Sequence, residues 1–324
     1  MQRKQIIKDL SPELYEMVIK AMEYDSDDRT FCSVTQILDP PKLFWLKKRF
    51  QETIEVNASS LLEATYGTAW HLLSEETFKE NPEYMTEKRF FFNVNVNDRI
   101  LTIAGKPDLV RLKDNTLLDH KETSVWTIIF NSRDAEWEQQ LNIYAYALRS
   151  GYFQPNDDIE TIEPGYCKPV QDNSLLETDV DTIKILFKCR DWRKGESLQR
   201  SNYPPKVGIM PIRVFENEEV LALLRYKLGE ILKYENTPID EIPECSKEQR
   251  WQDDTSYAVT KSGAKRALKV FKGKNAHEQA KHFIWNHKDK DILLLEKRIG
   301  QPTRCQDYCF YNKHCNWFQK YILE

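Results

Sequence analysis

Two aspartates set in apolar, strand-patterned segments constrain this chain more than any other feature. Gly105-Lys106-Pro107-Asp108-Leu109-Val110 follows an apolar run through Ile100, Leu101 and Ile103, and Leu117-Leu118-Asp119-His120-Lys121 opens on two leucines. A carboxylate in a buried strand is costly unless it is paired or holds a cation. Alternate residues of a strand share a face, so Asp119 and Lys121 project together, about 6–7 Å apart at their Cα atoms. A tight hairpin at Asp114-Asn115 would lay the Asp108 strand beside the Asp119 strand. Two carboxylates and an ammonium then meet at the rim of a sheet. That set suits hydrolysis of a phosphodiester: oxygen ligands hold Mg²⁺ or Mn²⁺, a bound water is activated, and a lysine stands close by without being a ligand. Asp-x-Lys alone is a common surface ion pair worth ~0–1 kcal/mol. The apolar setting of both acids is what sets this copy apart.

The 324 residues are enough for one large domain or two smaller ones, and for a substantial core. Lys+Arg at 47 against Asp+Glu at 51 gives a net charge of −4, so contact with nucleic acid requires a local basic patch. No run approaches the ~18 apolar residues of a membrane span, and no apolar stretch follows the charged start, so a soluble, cytoplasmic protein is expected. A GxxxxGK[ST] loop and a GxGxxG turn are both missing, which argues against an ATP-driven motor or a dinucleotide enzyme. Ser11-Pro12 opens a short helix, and Pro40-Pro41 a second that continues through Phe50. Residues 58–80 read as a long helix carrying His71. Strands follow over 89–96, 99–112 and 116–121, with a turn at Asn97-Asp98. Residues 134–150 read as a helix capped at Gly151, followed by a loop with Pro155 and Pro164. A strand is expected at 181–188, and helices over 217–234 and 257–271. The order implies a mixed-sheet α/β core with a helical C-terminal half.

Gln140 and Tyr144 stand four apart on one helix face, and His71 sits in a mostly apolar helix. The ordered set His71, Gly105-x-x-Asp108, Asp119-x-Lys121 and Gln140-x-x-x-Tyr144 resembles the PD-(D/E)xK nuclease superfamily. It is most similar to the RecB-like branch, which includes CRISPR-associated adaptation nucleases and phage-encoded homologues. The resemblance covers roughly residues 30–235 and implies a restriction-endonuclease-like α/β core over 31–235. An N-terminal helical segment (1–30) would precede it, and a helical, basic, cysteine-bearing region (236–324) would follow. It implies His71, Asp108 and Asp119 as ligands of Mg²⁺ or Mn²⁺, with the His120 carbonyl added. An imidazole ligand tilts the choice toward Mn²⁺. Lys121 would be the catalytic lysine, and Gln140 and Tyr144 DNA-positioning groups. The implied activity is end-dependent DNA exonuclease action, with recombination or replication proteins as candidate partners. The competing readings are a nucleic-acid-binding or assembly subunit without cleavage, and a structure-specific endonuclease.

Of seven cysteines, Cys305, Cys309 and Cys315 cluster near the C-terminus as C-x₃-C-x₅-C. In a reducing compartment such a cluster points to metal or iron–sulfur ligation. The resembling nucleases often hold a [4Fe–4S] cluster by one distant cysteine and a C-terminal C-x₂-C-x₅-C. This chain has one residue more in that loop, and Asp39 where the distant cysteine is expected. Cys245, in a Pro-bounded loop, is the first choice for the fourth ligand and Cys32 the second. His314 keeps a Cys₃His zinc site open. Finally, Lys261, Lys265, Lys269 and Lys272, with Arg266 and Lys274 nearby, would form one stripe of the helix expected over 257–271. That stripe is either a solvated face or a DNA-backbone track.

Overall fold

The computed structural model describes residues 6–22, 30–149, 160–163, 166–168 and 179–323. The expected cap at Gly151 and the loop with Pro155 and Pro164 lie outside these residues. The chain divides into two units, Met1–Asp39 with Gln51–Thr237, and Pro40–Phe50 with Pro238–Glu324. The first elements are β1 (Ile6–Ile7), α1 (Pro12–Ala21), β2 (Cys32–Ser33), α2 (Val34–Ile37) and α3 (Pro41–Phe50), the last belonging to the second unit. Next come β3 (Val56–Asn57), α4 (Leu62–Phe78), β4 (Tyr84–Thr86), β5 (Phe90–Val96), β6 (Arg99–Gly105), β7 (Leu109–Arg111) and β8 (Thr116–Thr123). The unit continues through α5 (Val125–Phe130), α6 (Asp134–Arg149), β9 (Glu160–Glu163), β10 (Tyr166–Lys168), β11 (Thr182–Cys189), α7 (Lys194–Gln199), β12 (Val207–Ile212) and α8 (Asn217–Leu232).

Its main sheet is mixed, in the order β12-β11-β8-β7-β4, with β8 and β11 parallel and the other pairs antiparallel. A central strand has both faces covered, which is why Thr116, Leu117, Leu118 and Asp119 are all buried. A second sheet, β2-β6-β5, is built on the Asn97-Asp98 turn, where both residues adopt positive φ. The single long strand expected over 99–112 is broken at Lys106-Pro107-Asp108, because proline removes a ladder donor. β6 thus stays with one sheet while β7 joins the other. Gly105 ends β6 against the ring of Phe90, whose nearest carbon would lie 2.3 Å from an added Cβ. The Asn115 αL residue closes the β7–β8 turn. α6 buries Trp137, Leu141, Ala145 and Leu148. It is tied down by Asn142, whose amide donates to the Arg213 carbonyl (2.8 Å) and accepts from the Phe215 N–H (2.6 Å).

The second unit adds β13 (Ser256–Lys261), β14 (Ala267–Phe271), α9 (Ala276–Trp285), β15 (Leu293–Arg298) and α10 (Asn316–Tyr321). The sheet order is β14-β13-β15, antiparallel throughout, and Val259, Phe271, Ala276, Ala280 and Leu293 form the core between sheet and α9. The helix expected over 257–271 is therefore a β-hairpin, and the C-terminal half is not wholly helical. Gly263, at φ +79°, sits in the tight turn closed by Ala264 N–H onto the Lys261 carbonyl. A left-handed residue there ends any helix. The buried ammonium of Lys42 on α3 donates to the Ile242 carbonyl (3.1 Å) and to Asn316 Oδ1 (2.7 Å), binding three segments of this unit together.

Candidate functional site

β8 is the backbone of the site. Its alternation puts Asp119 and Lys121 on one face, with Nζ of Lys121 2.7 Å from Oδ2 of Asp119. That contact lies outside hydrogen-bond geometry, so Oδ2 is a buried oxygen without a hydrogen-bond partner. Burial pushes the Asp119 carboxyl up to about 6, with Lys121 pulling down and Asp108 pushing up. The intervening His120 ring is bonded to Ser74 Oγ at 3.0 Å and faces Trp70 of α4. Burial lowers its pKa.

Asp108 lies in the short link between β6 and β7. Its Oδ2 accepts the His120 N–H at 2.7 Å, and its Oδ1 is 3.2 Å from Nδ1 of His71 on α4. Burial pushes this carboxyl up, but His71, Lys121 and the His120 N–H outweigh it, so Asp108 stays below the ordinary range. His71 is raised to about 10 by hydrogen bonds to Asp108 and Glu87, against burial.

Glu87 is the site residue the sequence reading missed. It follows β4 in the left-handed region (φ +49°), where its N–H donates to the Asp108 carbonyl at 3.2 Å and extends the β4–β7 pairing by one residue. Its carboxylate is nearly buried, 3.4 Å from His71 Nδ1 and 2.5 Å from Lys106 Nζ. A non-glycine residue held at positive φ marks a position fixed by its surroundings. The sequence signal was slight, a single acid before the Lys88-Arg89 start of a strand. One ligand atom each from His71, Glu87 and Asp108 lie within 4.8 Å of one another. Asp119 is outside that triple but lines the same cavity of about 500 Å³, together with Lys121, Gln140 and Tyr144. α6 supplies the last two: Gln140 Oε1 accepts from Lys121 Nζ (3.3 Å) and its Nε2 donates to the Tyr144 hydroxyl (3.2 Å). Three carboxylates, that of Asp119 with an oxygen lacking a hydrogen-bond partner, and an imidazole form a donor set that fits a hard divalent cation. A smaller cavity, about 240 Å³, opens beside His71 and Lys121 between Trp70, His120 and Arg190.

Cys245, Cys305, Cys309 and Cys315 line one cavity with Leu43, Leu46, Arg250, Arg304 and Phe318. Burial and the neighbouring thiols push Cys245 up to about 11 and Cys305 to about 12, and Cys309 is raised as well. His314 does not line that cavity and stacks on Phe50 at 4.3 Å. Cys32 is buried in β2 of the first unit. The lysine stripe does not form. Lys261 ends β13 and pairs with Asp289 at 2.7 Å, Lys265 is in the hairpin connection, and Lys269 in β14 lies over Phe271 and Phe283. The lysines are divided between two strands and their connection, so the four-residue spacing does not gather them on one face of one element.

A mixed sheet carrying Asp108 and Asp119-x-Lys121 at one rim defines the class, a nuclease-type α/β core. The sequence profile of the PD-(D/E)XK nuclease superfamily matches residues 20–248, and the chain belongs to that superfamily, whose members are typically metal-dependent nucleases. Among solved structures, the crystal structure of SSO0001 is similar to it, with a TM-score of 0.41 and 15% identity, over 70% of this chain and 86% of that one. No curated protein matches. Among the described residues, no helix is long and apolar enough to cross a membrane.

Proposed function

We propose that this chain hydrolyses phosphodiester bonds in DNA, using Mg²⁺ or Mn²⁺, and acts from DNA ends. The observation that carries the reading is the convergence of His71, Glu87, Asp108, Asp119 and Lys121 on one cavity. End dependence and DNA rest on the resemblance to RecB-like nucleases. His71, Glu87, Asp108 and Asp119 would hold the cation, and the His120 carbonyl is carried over from that resemblance as a further ligand. When bound, the cation supplies a lowered pKa for water and charge for the phosphate oxygens. The chain's own residues do the rest. The His120 N–H fixes one oxygen of Asp108, leaving the other turned to His71. Lys121, ion-paired to Asp119 and hydrogen-bonded to Gln140, orients the attacking water and steadies the charge that builds on the phosphate. Gln140 and Tyr144 position DNA through that lysine. The test is degradation of end-labelled linear DNA and of circular DNA with Mn²⁺, Mg²⁺ or EDTA, for wild type and Lys121→Ala. Metal-dependent loss of label from linear DNA alone, strongly slowed in the variant, is the expected result. Cleavage of circles would replace the exonuclease with an endonuclease, and silence on every DNA would leave a binding subunit.

The four cysteines we assign to a [4Fe–4S] cluster rather than zinc. Cys245, Cys305, Cys309 and Cys315 line one cavity, and a [4Fe–4S] cluster is what the resemblance to RecB-like nucleases implies for four such thiols. Iron and sulfide assays on anaerobically purified protein, beside a zinc assay, test the assignment; stoichiometric zinc without sulfide would overturn it.

A further inference from the structure

We propose that the β13–β14 hairpin and the groove between β14 and α9 form a second, non-catalytic site that binds single-stranded DNA. The proposal rests on the nuclease reading only for the choice of DNA as the occupant. From Ser256 through His277 the chain carries Lys261, Lys265, Arg266, Lys269, Lys272 and Lys274 and no acid, against a net charge of −4 for the whole. Asp289 neutralises Lys261. Lys265, Arg266, Lys269, Lys272 and Lys274 are exposed and have no carboxylate partner among the described residues. Like charges crowded on one hairpin repel, and a polyanion relieves that repulsion.

The groove has its own chemistry. It is open, about 860 Å³, and is lined by Asn275, Gln279, Asn286, His282, His287 and Phe283, with Lys269 at its edge. Its one carboxylate, Glu278, is already engaged by His277 (3.2 Å) and Lys281 (3.6 Å). Side-chain amides and imidazoles offer paired donors and acceptors, which match the edges of nucleobases. Base edges are free to enter such a groove only when unpaired. Phosphates on the hairpin with bases in the groove describe a single strand better than a duplex or an acidic protein segment.

The test is fluorescence anisotropy of the full chain in EDTA, with a labelled mixed-sequence single strand, the same sequence as duplex, and poly-glutamate as competitor. Salt is varied from about 50 to 200 mM. One variant combines Lys265→Gln, Arg266→Gln, Lys272→Gln and Lys274→Gln. A second, Gln279→Leu with Asn286→Leu, alters the groove alone. Thermal melting guards the fold of both. The single strand should bind more tightly than duplex. The charge variant should flatten the slope of log K against log salt by about 3, from ~0.7 per phosphate contact and four cations. The groove variant should lose about tenfold in affinity with the slope unmoved. An unchanged slope in the charge variant, equal binding of duplex, or displacement by poly-glutamate as readily as by DNA would overturn the proposal. Binding without any cleavage in metal would refute the nuclease reading alone, and cleavage with an unchanged slope would refute the groove alone.

Discussion

Gln140 stands between Tyr144 and Lys121, and its substitution separates two roles that the geometry joins. In Gln140→Leu the side chain keeps its approximate size but loses the Oε1 that accepts from Lys121 Nζ at 3.3 Å and the Nε2 that donates to Tyr144. A hydrogen bond to a charged group is worth about 1.5–3 kcal/mol, and this one is at the long end of the range, so the lower figure applies. Lys121 is largely buried, its side chain 19% exposed, so water replaces the lost acceptor poorly. At about 1.4 kcal/mol per tenfold, kcat should fall about 10-fold. KM for DNA should change little, because the amide acts by aiming the ammonium. The assay is steady-state cleavage of end-labelled DNA by wild type, Gln140→Leu, Lys121→Ala and the double variant. In the Lys121→Ala background the leucine should cost nothing further, since the group it steadies has gone. A rise in KM with kcat intact would refute the reasoning and make Gln140 a direct DNA contact. Full additivity with Lys121→Ala would refute it as well.

Glu87→Gln should weaken Mn²⁺ binding at least about tenfold by calorimetry, as loss of a charged donor from a ligand set does; affinity equal to wild type would remove Glu87 from the set. Gly105→Ala drives a Cβ to 2.3 Å from the Phe90 ring, so it should destabilise the fold by about 1–3 kcal/mol in chemical denaturation. It should also lower activity more than its stability loss explains, because Asp108 is three residues on. Asp191 caps the start of α5 by accepting from Ser124 Oγ and Val125 N–H, both at 2.7 Å. Burial pushes this carboxyl up, but the two bonds outweigh it and leave it below its ordinary value. A depressed folded-state pKa means its stabilisation is whole above the unfolded value and is lost as pH falls through the folded one. The stability gap between wild type and Asp191→Asn should therefore be constant near neutrality and close only in acid. A gap that widens in acid would mean the sign is wrong.

Sequence made β8 and its acids legible because burial and chemistry pull in opposite directions there. Leu117 and Leu118 announce a core strand, and nothing apolar explains an aspartate placed directly after them. The nearness of Cys245 to the other three thiols was legible for a related reason, a thiol in a Pro-bounded loop, and the four line one cavity. The hairpin of β13 and β14 was not, because lysines four apart fit a helix stripe and a solvent-facing strand equally well. Gly263 between two β-branched and aromatic runs was the signal that decides between them, and it outweighs any charge spacing, since a left-handed turn residue ends a helix whatever its neighbours carry. Glu87 was beyond reach for a deeper reason. Asp108 and Asp119 are neighbours through one hairpin, so strand periodicity alone relates them. Glu87 reaches Asp108 only because β4 pairs with β7, and no periodicity in the sequence encodes that pairing. Its backbone is held at positive φ by that ladder, and its carboxylate is held between His71 and Lys106. The residue that completes the candidate ligand triple is thus a product of topology, and its left-handed backbone is the physical sign of a position that the fold, not the local sequence, dictates.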